Sequence, residues 1–195
     1  MTKTSSRVAA RPRRSTQTRS TLTWIAVLGG GAVATIALIV VLLAPRPIPT
    51  LDGVVFYSNQ PGNHSEAPQT YPQTPPVGGV HSAQWQNCGI YDQPVQNEKA
   101  VHSLEHGAVW IAYRPDLAAS DVETLRTLAR GHTHVLLATY PDLPKPVVAT
   151  AWGLQLSLDS ASDARLPLFV QRYEQGPQTP EPGALCTGGV GTPIG

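Results

Sequence analysis

The sequence predicts an α+β domain, a small and mostly antiparallel sheet with two helices on one face, preceded by one transmembrane helix. Three observations carry this expectation. An uncharged, proline-free run from Leu22 to Leu43 lies near the start of the 195-residue chain. Beyond it, strand-like apolar runs and two amphipathic segments follow in the order strand, helix, strand, strand, helix. Charge is also divided along the chain. Residues 1–20 hold six basic residues and no acidic one, whereas residues 46–195 hold eight basic and thirteen acidic residues. The net charge of +1 is therefore the sum of a basic tail and a mildly acidic domain. An acidic balance in the part that can fold excludes a nucleic-acid-binding domain.

The basic tail spans residues 1–21 and the transmembrane helix residues 22–44. A helix of 22 uncharged residues is about 33 Å long at 1.5 Å per residue, enough for a hydrocarbon core of about 30 Å. Trp24 sits near one end, where an amphipathic ring prefers the interface. A cleaved signal peptide fits less well. Its apolar region is shorter, roughly 7–15 residues, and Leu42-Leu43-Ala44-Pro45 would put a bulky residue at −3 and a proline at +1. The Arg13-Arg14 pair lacks the apolar residues of a twin-arginine signal. The tail is then cytoplasmic by the positive-inside rule, and the chain is a single-pass cell-membrane protein with its C-terminal domain outside. Ala26, Gly30 and Ala34 recur every four residues, a pattern that permits a homodimer through the membrane helix. Ordinary small residues of a membrane helix give the same pattern.

Residues 45–50 form a proline-rich stalk, and residues 51–195 the extracytoplasmic domain. Residues 51–57 are a short first strand. Residues 58–99 are rich in Pro, Gly, Asn and Gln and read as a long ordered loop. Ala108–Tyr113 is the next strand, stopped by Arg114-Pro115. Ser120 or Asp121 caps a helix running to about Arg130 and closed by Gly131. Val135–Tyr140 is a second strand of this block and Val147–Leu156 a third, with Trp152 and Gly153 inside it. Ala161–Tyr173 is the second helix, with Pro167 near its start. A Gly/Pro-rich tail follows.

The chain has two cysteines, Cys88 and Cys186. Outside the cytoplasm paired thiols oxidise, so these two are expected to form a disulfide that staples the C-terminal tail to the domain. Two free thiols and a metal-bound Cys88 are the competing readings.

All six histidines lie beyond the stalk, densest in Val101-His102-Ser103-Leu104-Glu105-His106-Gly107. On an extended strand His102 and His106 would stand about 13 Å apart and could not share one ion. On a helical turn, positions i and i+4 face the same side, and Gly107 can end such a turn. His81, from the preceding loop, is the nearest further candidate. His81, His102 and His106, with Glu105 as ligand, orienting partner or base, suit zinc or copper(II), which take imidazole nitrogen. The sole methionine is Met1, which disfavours a thioether copper(I) site. The same residues can equally form a structural polar network that orders the loop. His132 and His134 read as the polar start of a strand. The H-x-x-E-H pattern of His102–His106 also occurs in zinc hydrolases. There it needs a continuous helix and a distant acidic ligand, whereas here Gly107 and a strand-like run follow. There is no nucleophile elbow, P-loop, dinucleotide fingerprint or C-x-x-C pair.

Several stretches together resemble a bacterial family known as Domain of Unknown Function 3105. They are Pro75-Pro76 through His81 and Trp85, Gly89-Ile90-Tyr91, Val101–Tyr113, Tyr140–Pro144 and Thr150–Gly153. The resemblance covers roughly residues 50–187, and its most specific part is His102–Trp110. It implies a short membrane-anchored protein of a kind common in actinobacteria, with a signature around His81 and His102–Gly107. It implies no particular activity. Three functions remain open at this point. The first is a non-enzymatic domain binding zinc or copper through the histidine cluster. The second is a cell-envelope interaction module with a structural His/Glu network, its envelope partner unspecified. The third is a metal-dependent hydrolase.

Overall fold

The computed structural model describes residues 50–58 and 60–194. The basic tail, the membrane span expected at 22–44 and the stalk as far as residue 49 lie outside the described residues. Among the described residues no helix is long and apolar enough to cross a membrane.

Six strands and three helices follow one another. They are β1 (Val54–Phe56), β2 (Gly89–Ile90), α1 (Asn97–Glu105), β3 (Val109–Tyr113), α2 (Ala119–Ala129), β4 (Val135–Thr139), β5 (Val147–Ala151), β6 (Leu154–Leu158) and α3 (Arg165–Tyr173). The strands form one sheet in the order β1-β6-β5-β3-β4-β2. The β1–β6, β6–β5 and β5–β3 pairs are antiparallel, while β3–β4 and β4–β2 are parallel. The expected α+β class holds, but the sheet is mixed rather than mostly antiparallel. The physical reason is helix α2, which crosses over between β3 and β4 and so returns the chain in the same direction.

The sheet is also covered on both faces. Along β3 and β4, Val109, Ile111, Tyr113, Val135 and Leu137 point into a core closed by Leu125 and Ala129 of α2 and by Leu166, Phe169 and Val170 of α3. The alternate residues Trp110, Ala112, Leu136 and Ala138 point the other way, against Ala100, Val101 and Leu104 of α1. The two expected helices do share one face. The third, α1, extends the helical turn expected around His102–His106 back to Asn97, and it covers the opposite face. A strand buried on both faces reads as an unbroken apolar run, and all five residues of β3 are buried.

The single strand expected at 147–156 is in fact a tight hairpin, with Trp152 and Gly153 as the turn between β5 and β6. Gly153 has φ +70°, a region that L side chains rarely adopt. A Cβ there would also meet the Tyr57 carbonyl oxygen at 3.0 Å. Pro167 falls in the first turn of α3, where a missing N–H costs little.

Cys88 and Cys186 form the disulfide, with Cα atoms 5.3 Å apart and 98 residues of separation. Backbone hydrogen bonds extend the fastening. The Cys88 amide donates to the Cys186 carbonyl, Asn87 to Val190, and Val190 to Trp85, at 2.8, 2.8 and 2.9 Å. The C-terminal segment is thereby laid along residues 85–88. Unreduced protein is expected to show no maleimide-reactive thiol. Opening so long a loop by Cys186→Ser should lower the urea unfolding free energy by about 4–5 kcal/mol on chain-entropy grounds.

Candidate metal centre

Helix α1 brings the histidine pair onto one side. Its apolar residues Ala100, Val101 and Leu104 enter the core, yet His102, Ser103 and Glu105 are buried as well, because the 58–99 loop closes over them. The helix ends at His106, whose amide donates to the His102 carbonyl at 3.1 Å. Gly107 then turns the chain with φ +93°, where a Cβ would come within 3.0 Å of the Gln175 backbone. The His102 and His106 rings are consequently neighbours, with centroids 4.6 Å apart.

The loop supplies two more imidazoles. Its two arms pair through a parallel bridge between His64 and His81. The Ser65 amide donates to the His81 carbonyl at 2.7 Å and the His81 amide to the Asn63 carbonyl at 3.0 Å. Gly62 allows this approach, since a Cβ at that position would meet Glu105 Oε1 at 2.6 Å. His64, His81, His102 and Glu105 each offer one ligand atom, and these atoms lie within 4.8 Å of one another. His81 is fully buried and Glu105 is 5 % exposed. The His64 side chain is 45 % exposed and forms the solvent edge.

Backbone carbonyls fix the tautomers. His81 Nδ1 donates to Gly79 O at 2.8 Å, His102 Nδ1 to Ser82 O at 2.7 Å, and His106 Nδ1 to Leu185 O at 2.8 Å. A carbonyl oxygen only accepts, so each of these nitrogens carries its hydrogen. In the neutral ring the lone pair is then on Nε2. His81 Nε2 lies 2.9 Å and His64 Nε2 3.6 Å from Glu105 Oε2. A bare nitrogen and a carboxylate oxygen this close repel unless a proton or a cation lies between them. Two ligands about 2.1 Å from a tetrahedral ion stand about 3.4 Å apart, and the two observed distances bracket that value. Burial, reinforced by the neighbouring His106, His81 and His64, pushes His102 down to about 4, against the opposing pull of the Ser82 carbonyl. His102 is thus a neutral imidazole at physiological pH.

A second group abuts the first. His102, His106 and Glu181 also offer ligand atoms within 4.8 Å of one another, with His106 Nε2 3.4 Å from Glu181 Oε2. Glu181 belongs to the C-terminal segment, and its amide donates to the Glu105 carbonyl at 3.1 Å. Trp85 packs against His102 and His106, its ring centroid 5.6 and 4.9 Å from theirs.

Of the four residues expected to form one site, the structure brings His81, His102 and Glu105 together. It places His106 in the adjoining group and adds His64 in its stead. Neither His64 nor Glu181 belongs to the ligand set expected from the sequence. No periodicity marks either residue. His64 arrives through pairing inside a proline-rich loop, and Glu181 through the disulfide-fastened tail. The H-x-x-E-H pattern does lie on a helix as far as Glu105, with Glu181 as a distant acid beside His106. The carboxylate in its base position, Glu105, is held by His81. His132 and His134 stand apart at the start of β4 and share one carboxylate. Glu174 accepts from His132 Nδ1 at 2.5 Å and from the His134 amide at 2.8 Å, a link that ties the end of α3 to the sheet.

A mixed sheet covered on both faces, a disulfide-fastened tail and a buried imidazole cluster around one carboxylate define the class of domain. The chain belongs to the family described as Protein of unknown function (DUF3105), which matches residues 64–188, more than half of its length. The match begins at His64 and takes in every residue of both groups. No curated protein and no solved structure matches the chain.

The low value at His102 fixes a sign. The unfolded chain takes up this proton near pH 6.5 and the folded chain near 4. Between those values the unfolded state holds more protons, so the His102 contribution to stability falls as pH drops through that window. Proton NMR of metal-free protein should show a His102 titration midpoint near pH 4; a midpoint near 6.5 would refute the burial argument.

Proposed function

We propose that the domain binds a divalent transition metal, zinc or copper(II), through His64, His81, His102 and Glu105. The observation that carries this reading is the orientation of His81 and His102. Both donate Nδ1–H to backbone carbonyls, which is the outer-shell support that metal-ligating histidines use to fix tautomer and ring direction. Their free nitrogens then meet a buried carboxylate. Three imidazole nitrogens and one carboxylate oxygen make a four-ligand set of the kind that holds zinc tetrahedrally. The same donors are acceptable to copper(II). Four protein ligands leave no open position for a substrate, which favours binding over hydrolysis.

A second reading is supported by the 2.9 Å contact between His81 Nε2 and Glu105 Oε2. With His81 doubly protonated, that contact is a buried ion pair, and the domain is an envelope interaction module whose polar network only orders the loop.

The proposed setting is extracytoplasmic, with residues 22–44 as a single-pass anchor and the basic tail in the cytoplasm. It is supported by the uncharged run, by the charge division on either side of it and by the disulfide, which suits an oxidising compartment.

Isothermal titration of chelator-treated protein with zinc should show stoichiometric uptake whose affinity His81→Ala lowers at least about tenfold. Under the second reading there is no uptake, and His102→Ala lowers the melting temperature by the same amount with or without zinc. For the anchor, the full chain should sediment with membranes and resist carbonate extraction, while protease added outside intact spheroplasts should remove residues 51–195. Release of the chain by carbonate would reject the span.

A further inference from the structure

The two ligand groups have one member in common, and it is a residue with a single nitrogen to give. His102 commits Nδ1 to the Ser82 carbonyl at 2.7 Å, which leaves Nε2 alone with a lone pair. An imidazole nitrogen has one such pair and binds one ion. His102 therefore cannot serve an ion among His64, His81 and Glu105 and a second among His106 and Glu181 at the same time. We infer that a single divalent ion has two alternative positions that share His102: an inner one closed by four ligands, and an outer one of His102, His106 and Glu181 through which the inner one is loaded. This inference rests on the metal-binding reading above and deepens it.

The two positions differ in ways that give the transfer a direction. The inner position has three nitrogens and a carboxylate, three of its members, His81, His102 and Glu105, being almost fully buried. The outer position has two nitrogens and a carboxylate on a side chain 52 % exposed. One ligand fewer makes the outer position weaker and leaves a coordination place for water or for the donor of the ion. Proximity makes the exchange short. The His102 ring stacks on His64 with centroids 4.8 Å apart and meets His106 edge-on at 4.6 Å. An ion can thus stay bound to His102 while Glu181 and His106 are replaced by His64, His81 and Glu105. Each position pairs the divalent ion with one carboxylate and neutral imidazoles, so the ion meets the same ligand charge in both, and entry to the inner position neutralises the buried Glu105 carboxylate.

Both ends of the outer position are also braced. His106 is aimed by the Leu185 carbonyl, and Glu181 is held at its amide by the Glu105 carbonyl. Both Leu185 and Glu181 lie on the segment that the Cys88–Cys186 disulfide ties down. The disulfide is thereby a condition of the outer position and not of the inner one, whose ligands come from residues 64–105.

Zinc titration and stopped-flow uptake on the full chain in detergent test this with four proteins. Wild type should bind one zinc per chain. Glu181→Gln should keep that stoichiometry and affinity but slow uptake at least about tenfold. His64→Ala, at an exposed position, should keep one zinc at an affinity about ten times weaker, now shared between the outer position and the three ligands left in the inner one. His64→Ala with Glu181→Gln should weaken it about twofold again, because one of two equivalent three-ligand positions is lost. Thermal unfolding and far-UV circular dichroism confirm that each variant is folded. Two zincs bound by wild type would overturn the shared-ligand inference while leaving metal binding intact. So would a Glu181→Gln change without effect on uptake rate and on the His64→Ala affinity. No uptake by wild type would overturn the metal-binding reading itself, and this inference with it.

Discussion

A carboxylate buried at the C-terminal end of a helix is unfavourable on two counts. It loses its hydration, and it faces the negative end of the helix dipole. Glu105 ends α1 in that position and is almost entirely buried. Groups that can hold a proton or a cation against it must therefore gather round it, and imidazoles do. His81 reaches it at 2.9 Å and His64 at 3.6 Å, both from the loop. The loop in turn is ordered because it supplies them. The pairing of its two arms at His64 and His81, the approach of Gly62, and the use of the Gly79 and Ser82 carbonyls as acceptors are all consequences of compensating that one charge.

The rest of the fold provides the rigid base on which this happens. Strand β3 is buried on both sides, and its Trp110 and Ala112 meet the apolar residues of α1. That packing sets the helix, and the turn at Gly107 sets its end against the segment after α3. The disulfide and its flanking amide bonds then place Glu181, Ala184 and Leu185 around His106 and His134. Two histidine environments result, one made by the loop and one by the tail, with His102 between them. Their separate origins explain how a residue near the end of the chain comes to share a neighbour with one 117 positions earlier, His64.

Much of this was legible locally. The i, i+4 spacing of His102 and His106 required a helix if they were to meet, and Gly107 marked its end. The runs at 109–113 and 135–139 read as strands, and two cysteines on one side of a charge boundary could pair with each other, remain free or, at Cys88, hold a metal. What was not legible depended on partners distant in sequence. The parallel β3–β4 pairing follows from which face α2 buries, and the hairpin at Trp152-Gly153 follows from the Tyr57 carbonyl closing on Gly153. The start of α1 at Asn97 carries no side-chain cap, so no local signal announced it.

By itself, then, the sequence determined most of the strands, the two helices on one face, the candidate ligand types and the family. These depend on side-chain period, turn residues and short-range spacing, which a linear chain displays directly. Tertiary structure alone decided the composition of the site. It exchanged His106 for His64 around Glu105, joined His106 to Glu181, and left His102 one nitrogen for both groups. Ligand sets are matters of convergence in space, and a proline-rich loop and a disulfide-bound tail converge by loop closure and burial, for which no pattern in the chain is a guide.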